Sequence, residues 1–200
     1  MKKYTLILIL AVSMTAGAAT PRELFRQGDE AYRRKDYREA VRLYTASLQR
    51  VDPARRYYIH NNRGLAYRRL KEPGKAMKDL MKALALKPGY APAYNNIGIL
   101  YLDRGNFQKA LELFNQSLTY NRHYHIAYYN IACVYSLQKK RAEAVKYLKK
   151  AARSLRARRI SLQKLHQEIM GDPQLKNLKG YPPFEKFFRE VEKSLKMQRI

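Results

Sequence analysis

The stretch APAYNNIGILYLDRGNFQKALELFNQSLTYNR, residues 91–122, decides the fold of this 200-residue chain. It contains two mostly apolar segments, which are separated by the pair Gly105-Asn106. Glycine accepts the backbone conformation that ends a helix, so this pair predicts a break between two helices. Gly98 and Ala110 lie near the middle of the two segments, where a larger side chain would force crossing helices apart. The stretch therefore predicts a closely packed helix pair.

The same arrangement returns along the chain at a nearly fixed interval. The small residues fall into two series that both step by 36, 34 and 34 residues: Gly28, Gly64, Gly98 and Ala132, and Ala40, Ala76, Ala110 and Ala144. A period of this length is typical of solenoids, in which each unit buries its apolar face only against a neighbouring unit. Solenoids generally offer binding surfaces, so the period favours a binding protein over an enzyme.

The pattern resembles the tetratricopeptide repeat (TPR). The best-matching copy carries the family's bulky, small and aromatic positions at Tyr94, Ile97, Gly98, Tyr101, Phe107, Ala110 and Phe114. The resemblance implies an all-α fold, a right-handed superhelical solenoid of antiparallel helix pairs followed by C-terminal capping helices. It also implies a non-enzymatic adaptor or scaffold that binds a protein or peptide in its concave groove. We expect helices near 21–34, 37–51, 56–70, 74–86, 91–104, 107–120, 125–138, 141–155 and 160–170, with a final helix from Phe184.

The repeat also divides the chain into predicted units. These are a signal peptide (1–19), four repeats (20–54, 55–90, 91–124 and 125–158) and the capping helices (159–200). The run from Asp172 to Phe184 resembles the DPxLxxLxxxPxF ending found after the last repeat of many bacterial TPR proteins. The apolar stripe of Phe184, Phe187 and Phe188 is accordingly predicted to be core or cap rather than an exposed docking site.

The first 19 residues have the layout of a secretory signal peptide. Lys2 and Lys3 precede a short apolar run, and Ala16-Gly17-Ala18 supplies small residues for cleavage after Ala18 or Ala19. The alternative is an uncleaved anchor, but about 11 apolar residues fall short of the roughly 20 that a membrane-spanning helix needs. The layout predicts an exported bacterial protein of the cell envelope, periplasmic or extracellular after cleavage.

The resemblance implies that the first helix of each pair lines the groove. The residues at groove positions are Phe25, Asp29, Tyr32, Arg33, Tyr58, Asn61, Asn62, Leu65, Arg68, Arg69, Asn95, Asn96, Ile99, Leu102, Ile126, Tyr129, Asn130 and Cys133. The residues predicted to contact a peptide are Phe25, Tyr58, Asn61, Asn62, Arg68, Asn95, Asn96, Ile99, Tyr129 and Asn130. Asn62, Asn96 and Asn130 recur every 34 residues, and we call them the asparagine ladder. An amide carries both a donor and an acceptor, so the ladder suits the backbone of an extended peptide. It equally suits hydrogen bonds to the neighbouring helix, and the sequence leaves both roles open.

Some TPR proteins bind chaperone C-termini through a clamp of Lys and Asn around the terminal carboxylate. The resemblance does not extend to that clamp. Phe25 and Asp29 stand where the clamp has Lys and Asn, while Pro92 and Asn96 stand where it has Lys and Arg. Only Asn62 matches, so this specific function is not predicted.

The chain is strongly basic, with 41 Lys and Arg against 16 Asp and Glu and a formal net charge of +25. Such a charge implies affinity for an acidic partner. The densest part, which we call the basic patch, comprises Lys139, Lys140, Arg141, Lys146, Lys149, Lys150, Arg153, Arg156, Arg158 and Arg159. An alternative function is thus electrostatic docking on an anionic envelope polymer, lipid or nucleic acid. Nucleic acid is the least favoured of these partners, because export would remove the protein from its usual nucleic-acid partners. The patch is also compatible with an ordinary solvated helix face.

No catalytic or metal-binding pattern is present in the sequence. Cys133 is the single cysteine, which excludes an internal disulfide. Two Ser-x-x-Lys matches, Ser136–Lys139 and Ser161–Lys164, lack the partner motifs of an acyl-enzyme. His123 and His125 have no neighbouring Cys or acid, which metal ligation would need. We therefore predict no enzyme activity, no cofactor, no metal and no small-molecule substrate.

Overall fold

The computed structural model describes residues 19–157 and 161–197, and within these ranges it contains helices and no strand. The first eight helices form four pairs: α1 (Pro21–Arg33) with α2 (Tyr37–Arg50), α3 (Arg56–Arg69) with α4 (Pro73–Leu86), α5 (Ala91–Leu102) with α6 (Phe107–Tyr120), and α7 (His125–Leu137) with α8 (Arg141–Ala157). Two helices follow, α9 (Gln163–Gly171) and α10 (Pro182–Met197). Short 3-10 helices occupy Pro53–Arg55 and Pro173–Leu178.

The helix pairs stack side by side. The two helices of a pair pack along each other, and the second helix of each pair also packs against the first helix of the next pair. The first helices of successive pairs, α1, α3, α5 and α7, touch one another as well. The prediction of an all-helical solenoid built from antiparallel pairs is confirmed.

Local sequence sets the helix ends. Gly105 adopts a left-handed backbone with φ of +74°, as predicted for the break after α5. Asn106 then caps α6, since its Oδ1 accepts a hydrogen bond from the amide of Lys109 at 3.0 Å. The ninth helix begins at Gln163, three residues later than expected. The Ser161 hydroxyl accepts a hydrogen bond from the Gln163 amide at 3.1 Å, which favours a helix start at this point.

Close helix crossings account for the small residues of the repeat. A Cβ atom on Gly98 would lie 2.6 Å from Cε1 of Phe114 and 3.3 Å from the carbonyl oxygen of Ala110. A Cβ atom on Gly28 would lie 2.7 Å from the Tyr44 ring. Phe114 and Tyr44 are both almost fully buried. These glycines therefore leave the space that the aromatic side chains of the second helices fill.

The C-terminal segment, residues 163–197, continues the core of the last pair. Leu165, Leu178 and Phe187 belong to the same buried cluster as Leu148 and Leu155 of α8. Phe184 and Phe187 are buried, in agreement with the predicted apolar stripe, and Phe188 is half-buried.

The described helices include none that is long and apolar enough to cross a membrane. The predicted signal peptide lies almost wholly in residues 1–18, outside the described residues, and stays a prediction.

Candidate binding groove

The asparagine ladder lies where the first helices of successive pairs meet. Each of its amides bonds to a residue on the preceding first helix. The Nδ2 atom of Asn130 donates to Oδ1 of Asn95 at 2.8 Å, and Nδ2 of Asn96 donates to Oδ1 of Asn61 at 2.8 Å. The Nδ2 atom of Asn62 donates to Oδ1 of Asp29 at 3.1 Å. The ladder therefore joins α7 to α5, α5 to α3 and α3 to α1.

Two further bonds make these contacts continuous. Within α5, Nδ2 of Asn95 donates to Oδ1 of Asn96 at 3.2 Å, and within α3, Nδ2 of Asn61 donates to Oδ1 of Asn62 at 3.0 Å. We call the resulting series from Asn130 to Asp29 the amide chain. Every amide in it donates toward Asp29, whose carboxylate also accepts a hydrogen bond from the Tyr44 hydroxyl at 2.6 Å.

Burial distinguishes the middle of the amide chain from its ends. Asn61, Asn95 and Asn96 are 4%, 1% and 6% exposed, whereas Asn62 and Asn130 are half-buried. Of the two roles left open for the ladder, hydrogen bonding to the neighbouring helix is the one that the structure displays. A peptide contact by the half-buried Asn62 and Asn130 stays a prediction.

The other predicted groove residues pack largely against protein. Phe25 meets Tyr58 edge to face, with ring centroids 4.9 Å apart. Arg68 forms a two-pronged ion pair with Asp103, at 2.5 and 2.8 Å. Ile99 is half-buried beside the α5–α7 core. These side chains stabilise the wall of the groove.

Tyr129, the remaining predicted groove residue, is covered by the C-terminal segment. Its hydroxyl lies 2.8 Å from Oδ2 of Asp172 and 3.2 Å from the carbonyl oxygen of Glu168. Burial, together with the neighbouring Cys133 and Asp172, raises the pKa of Tyr129 far above its usual range. Burial likewise raises the pKa of the Cys133 thiol, which lies 3.6 Å from the same carboxylate. The Tyr129 hydroxyl is thus occupied by protein partners, and only 8% of the residue is exposed. The thiol is held in its unreactive protonated form.

Two open clefts remain on the face formed by the first helices. The smaller, of about 140 Å³, lies between α1 and α3 and is lined by Asp29, Tyr32, Arg33, Tyr44, Asn62 and Leu65. The larger, of about 540 Å³, is bounded by α3, α7 and α9 and lined by Arg69, Ile126, Tyr129, Asn130, Gln167, Glu168, Gly171, Asp172 and Pro173. Arg33 and Arg69 are exposed, one in each cleft. Both arginines stand at groove positions of the repeat, but neither is among the predicted peptide-contacting residues.

A buried ionic cluster behind the groove was not predicted. Asp79 of α4 is 3% exposed and receives two hydrogen bonds from Arg63, at 2.7 and 2.8 Å. Its Oδ1 also lies 2.9 Å from Nδ1 of His60. Burial acts to raise the pKa of Asp79, but the hydrogen bonds from Arg63 and His60 outweigh it and lower that pKa below its ordinary value. Arg63 also donates to the Thr45 hydroxyl at 2.8 Å, so the cluster fastens α2 and α3 to α4.

The basic patch lies along α8 and the turn before it. Lys139, Lys140, Arg141, Lys146, Lys149, Arg153 and Arg156 are exposed. Lys150 is half-buried, with its ammonium 4.5 Å from the centre of the Tyr147 ring. Arg158 and Arg159 lie outside the described residues. Docking of this patch on an anionic partner stays a prediction.

Known proteins share both the repeat and the fold. Yeast heat shock protein STI1 (Saccharomyces cerevisiae) is 31% identical over 101 residues, which are 47% of this chain but only 17% of STI1. Among solved structures, pilF of Pseudomonas aeruginosa superimposes with a TM-score of 0.64 at 19% identity, covering 88% of this chain and 76% of pilF. The first TPR domain of Spaghetti (RPAP3), solved with the HSP90 peptide SRMEEVD, gives a TM-score of 0.51 at 24% identity and covers 59% of this chain and 95% of that domain.

The model of the tetratricopeptide repeat matches residues 56–123 and again 91–157. Together the two matches span 56–157, just over half of the chain. They include three of the four helix pairs and most of the amide chain. The chain belongs to the tetratricopeptide repeat family.

Proposed function

We propose that this protein is a non-enzymatic adaptor that binds a protein or peptide segment in its concave groove. The observation that carries the proposal is the pair of open clefts on the face of the first helices. Each cleft combines an exposed arginine (Arg33 or Arg69) with a half-buried aliphatic side chain (Leu65 or Ile126). Each also contains an asparagine near one end of the amide chain, Asn62 in the smaller cleft and Asn130 in the larger. Curated relatives with the same repeat include the heat-shock cognate co-chaperone sgt12 of Aspergillus fumigatus, which supports a protein partner.

The chemistry of the clefts suits an extended peptide. Half-buried aliphatic surface removes a partner's apolar side chain from water, which stabilises the complex by about 25 cal/mol per Å² of buried apolar area. A guanidinium offers a planar pair of donors that matches a carboxylate. We therefore expect the preferred segment to alternate apolar and acidic side chains.

Selection from a random peptide library displayed on phage tests the proposal. We expect the selected peptides to lose about tenfold or more in affinity for the double variant Leu65→Ala/Arg69→Ala, because one apolar contact and one charged hydrogen bond together contribute at least about 1.4 kcal/mol. Arg189→Ala, which removes an exposed arginine of α10, is the matched control and should bind as the unmodified protein does. Equal binding by the double variant would contradict the proposal.

Binding of the peptide SRMEEVD provides a second, more specific test of the proposal. The clamp positions hold Phe25, Asp29 and Pro92 instead of basic or amide side chains, so we expect SRMEEVD to bind no more tightly than a scrambled peptide of the same composition. Tight, sequence-dependent binding of SRMEEVD would show that this groove recognises a terminal carboxylate without the usual clamp.

The proposal places the adaptor in the bacterial cell envelope, and only the sequence of residues 1–19 supports this location. Expression of the full chain in a bacterium, followed by osmotic-shock fractionation and N-terminal sequencing, tests it. We expect the protein in the periplasmic fraction with a new N-terminus at Ala19 or Thr20. A full-length cytoplasmic product would contradict export.

A further inference from the structure

The turns inside the four helix pairs share an unusual backbone. Lys35, Lys71 and Lys139 have φ angles of +65°, +60° and +60°, and Gly105 occupies the equivalent point of the third pair with +74°. In all four turns the following residue donates its amide to a carbonyl five positions earlier, at 2.9 Å. This is the Schellman ending of a helix, in which glycine is the favoured residue at the left-handed position.

Lysine is a costly residue at this position. Its Cβ atom crowds the following carbonyl in the left-handed conformation, whereas glycine has no such contact. Three of the four turns nevertheless carry lysine. An observed backbone outlier of this kind is grounds for a functional hypothesis, because the surrounding fold must compensate for the strain.

The turns carry an excess of exposed positive charge. We use the name turn ridge for the exposed cations Arg34, Lys35, Lys71, Arg104, Lys139, Lys140 and Arg141. Within the described residues none of these cations has an ion pair. The same turns contain three acids. Asp103 binds Arg68 and Glu72 binds Lys75, while the exposed Asp36 accepts a hydrogen bond from the Glu39 amide. The ridge is therefore positive along its length.

Contacts between successive turns place the ridge along one edge of the solenoid. Arg68 at the end of α3 binds Asp103 after α5, and Nε of Arg69 lies 3.4 Å from the Tyr32 hydroxyl at the end of α1. The ends of α1, α3 and α5 are thus neighbours, and α7 continues the row through its contact with α5. The turn ridge therefore follows the neighbouring ends of the first helices, and none of its cations lines either cleft.

We propose that the turn ridge binds an extended acidic polypeptide segment, at a surface distinct from the peptide groove. Charge complementarity and the linear layout carry the proposal. The described residues between the helices of the four pairs include no aromatic side chain, and Tyr37 and Phe107, which begin α2 and α6, are half-buried. The ridge thus lacks the exposed aromatic rings that stack on nucleic acid bases. The one apolar side chain among these described residues between the helices is the half-buried Leu70, so the ridge offers little to insert into a lipid bilayer.

The test removes the ridge lysines without disturbing the backbone. In the triple variant Lys35→Gly/Lys71→Gly/Lys139→Gly, glycine adopts the left-handed conformation more readily, so we expect an unchanged or higher melting temperature. Binding of a fluorescent poly-glutamate peptide, measured by anisotropy at low salt, should weaken by about 3- to 100-fold, as the loss of three exposed ion pairs implies. The triple Lys→Asn variant, which also tolerates this conformation, should lose binding to the same extent.

A control variant distinguishes the contribution of the turn ridge to binding from that of the protein's net charge. Lys78→Gln/Lys82→Gln/Lys186→Gln removes three exposed lysines from α4 and α10 and should retain poly-glutamate binding. Equal loss in both triple variants, or no binding by the unmodified protein, overturns the proposal. Tighter binding of single-stranded poly-uridine or of phosphatidylglycerol vesicles than of poly-glutamate overturns the choice of partner.

The same assay distinguishes this surface from the proposed groove. The groove variant Leu65→Ala/Arg69→Ala should bind poly-glutamate normally while losing its selected library peptides. The ridge variant should show the reverse. A variant that lost both ligands would show that the two surfaces are one site, which contradicts the proposal.

Discussion

Replacing Asn96 by alanine should destabilise the protein more than an isolated asparagine contact would suggest. Asn96 donates to Oδ1 of Asn61 and accepts from Nδ2 of Asn95, and both partners are almost fully buried. Alanine leaves both partner groups unsatisfied, and each such group costs about 1–3 kcal/mol. We therefore expect the free energy of unfolding to fall by about 2–6 kcal/mol. At about 2–4 °C per kcal/mol, the melting temperature should fall by about 4–24 °C.

Urea unfolding followed by far-UV circular dichroism measures this change. Asn130→Ala provides an internal comparison, because it removes the hydrogen bond of only one buried group, Oδ1 of Asn95. It should lower the free energy of unfolding by about 1–3 kcal/mol. Asn115→Ala on the exposed side of α6 is the matched control and should change the free energy by less than about 0.5 kcal/mol. If Asn96→Ala unfolded like the control, the amide chain would contribute nothing to stability, and the reasoning would be refuted.

Two further variants test the core. Gly98→Ala should lower the free energy of unfolding by about 1–3 kcal/mol, because the new Cβ atom would lie 2.6 Å from the buried Phe114 ring. At Gly74 a Cβ atom would have no atom within 4 Å, so Gly74→Ala should be neutral or slightly stabilising in the same urea titration. Asp79→Asn should lose about 3 kcal/mol at pH 7 by leaving Arg63 buried without its anion. Because folding lowers the pKa of Asp79, its stabilising contribution is complete above the ordinary carboxyl range, about 3.9, and is lost as the pH falls through the lowered pKa. The gap between unmodified protein and Asp79→Asn should therefore shrink in acid, and a gap independent of pH would contradict this assignment.

The helix pairs were predictable from the sequence because few residue types satisfy their local constraints. A left-handed turn favours the glycine at Gly105, and a close crossing favours Gly98 opposite Phe114. The positions of the asparagine ladder were equally visible from the 34-residue interval. Their partners were not, because an amide bonds equally well to a peptide or to a helix, and only the rotation of each helix about its axis decides between them.

The missed parts of the site depend on contacts between distant segments. The burial of Tyr129 requires Asp172, which lies 43 residues later and reaches it only through the packing of the C-terminal segment on α7. One signal for the ionic cluster was present in the sequence. Asp79 stands three residues after Ala76 and four before Ala83, on the buried stripe of α4, where an acid needs a buried cationic partner.

The amide chain ends in different groups at its two ends. Each middle pair contributes two adjacent asparagines. One accepts a hydrogen bond from the following first helix, and the other donates to the preceding first helix, so a duplicated middle pair would lengthen the amide chain. The first pair offers Asp29, an acceptor with nothing to donate, and the fourth pair has Tyr129 where the middle pairs have Asn61 and Asn95. The series of hydrogen bonds therefore stops at Asp29, and beside Asn130 the fourth pair offers no second asparagine to extend it. Duplicating a middle pair would therefore preserve these hydrogen bonds, whereas duplicating the first or the fourth pair would interrupt them.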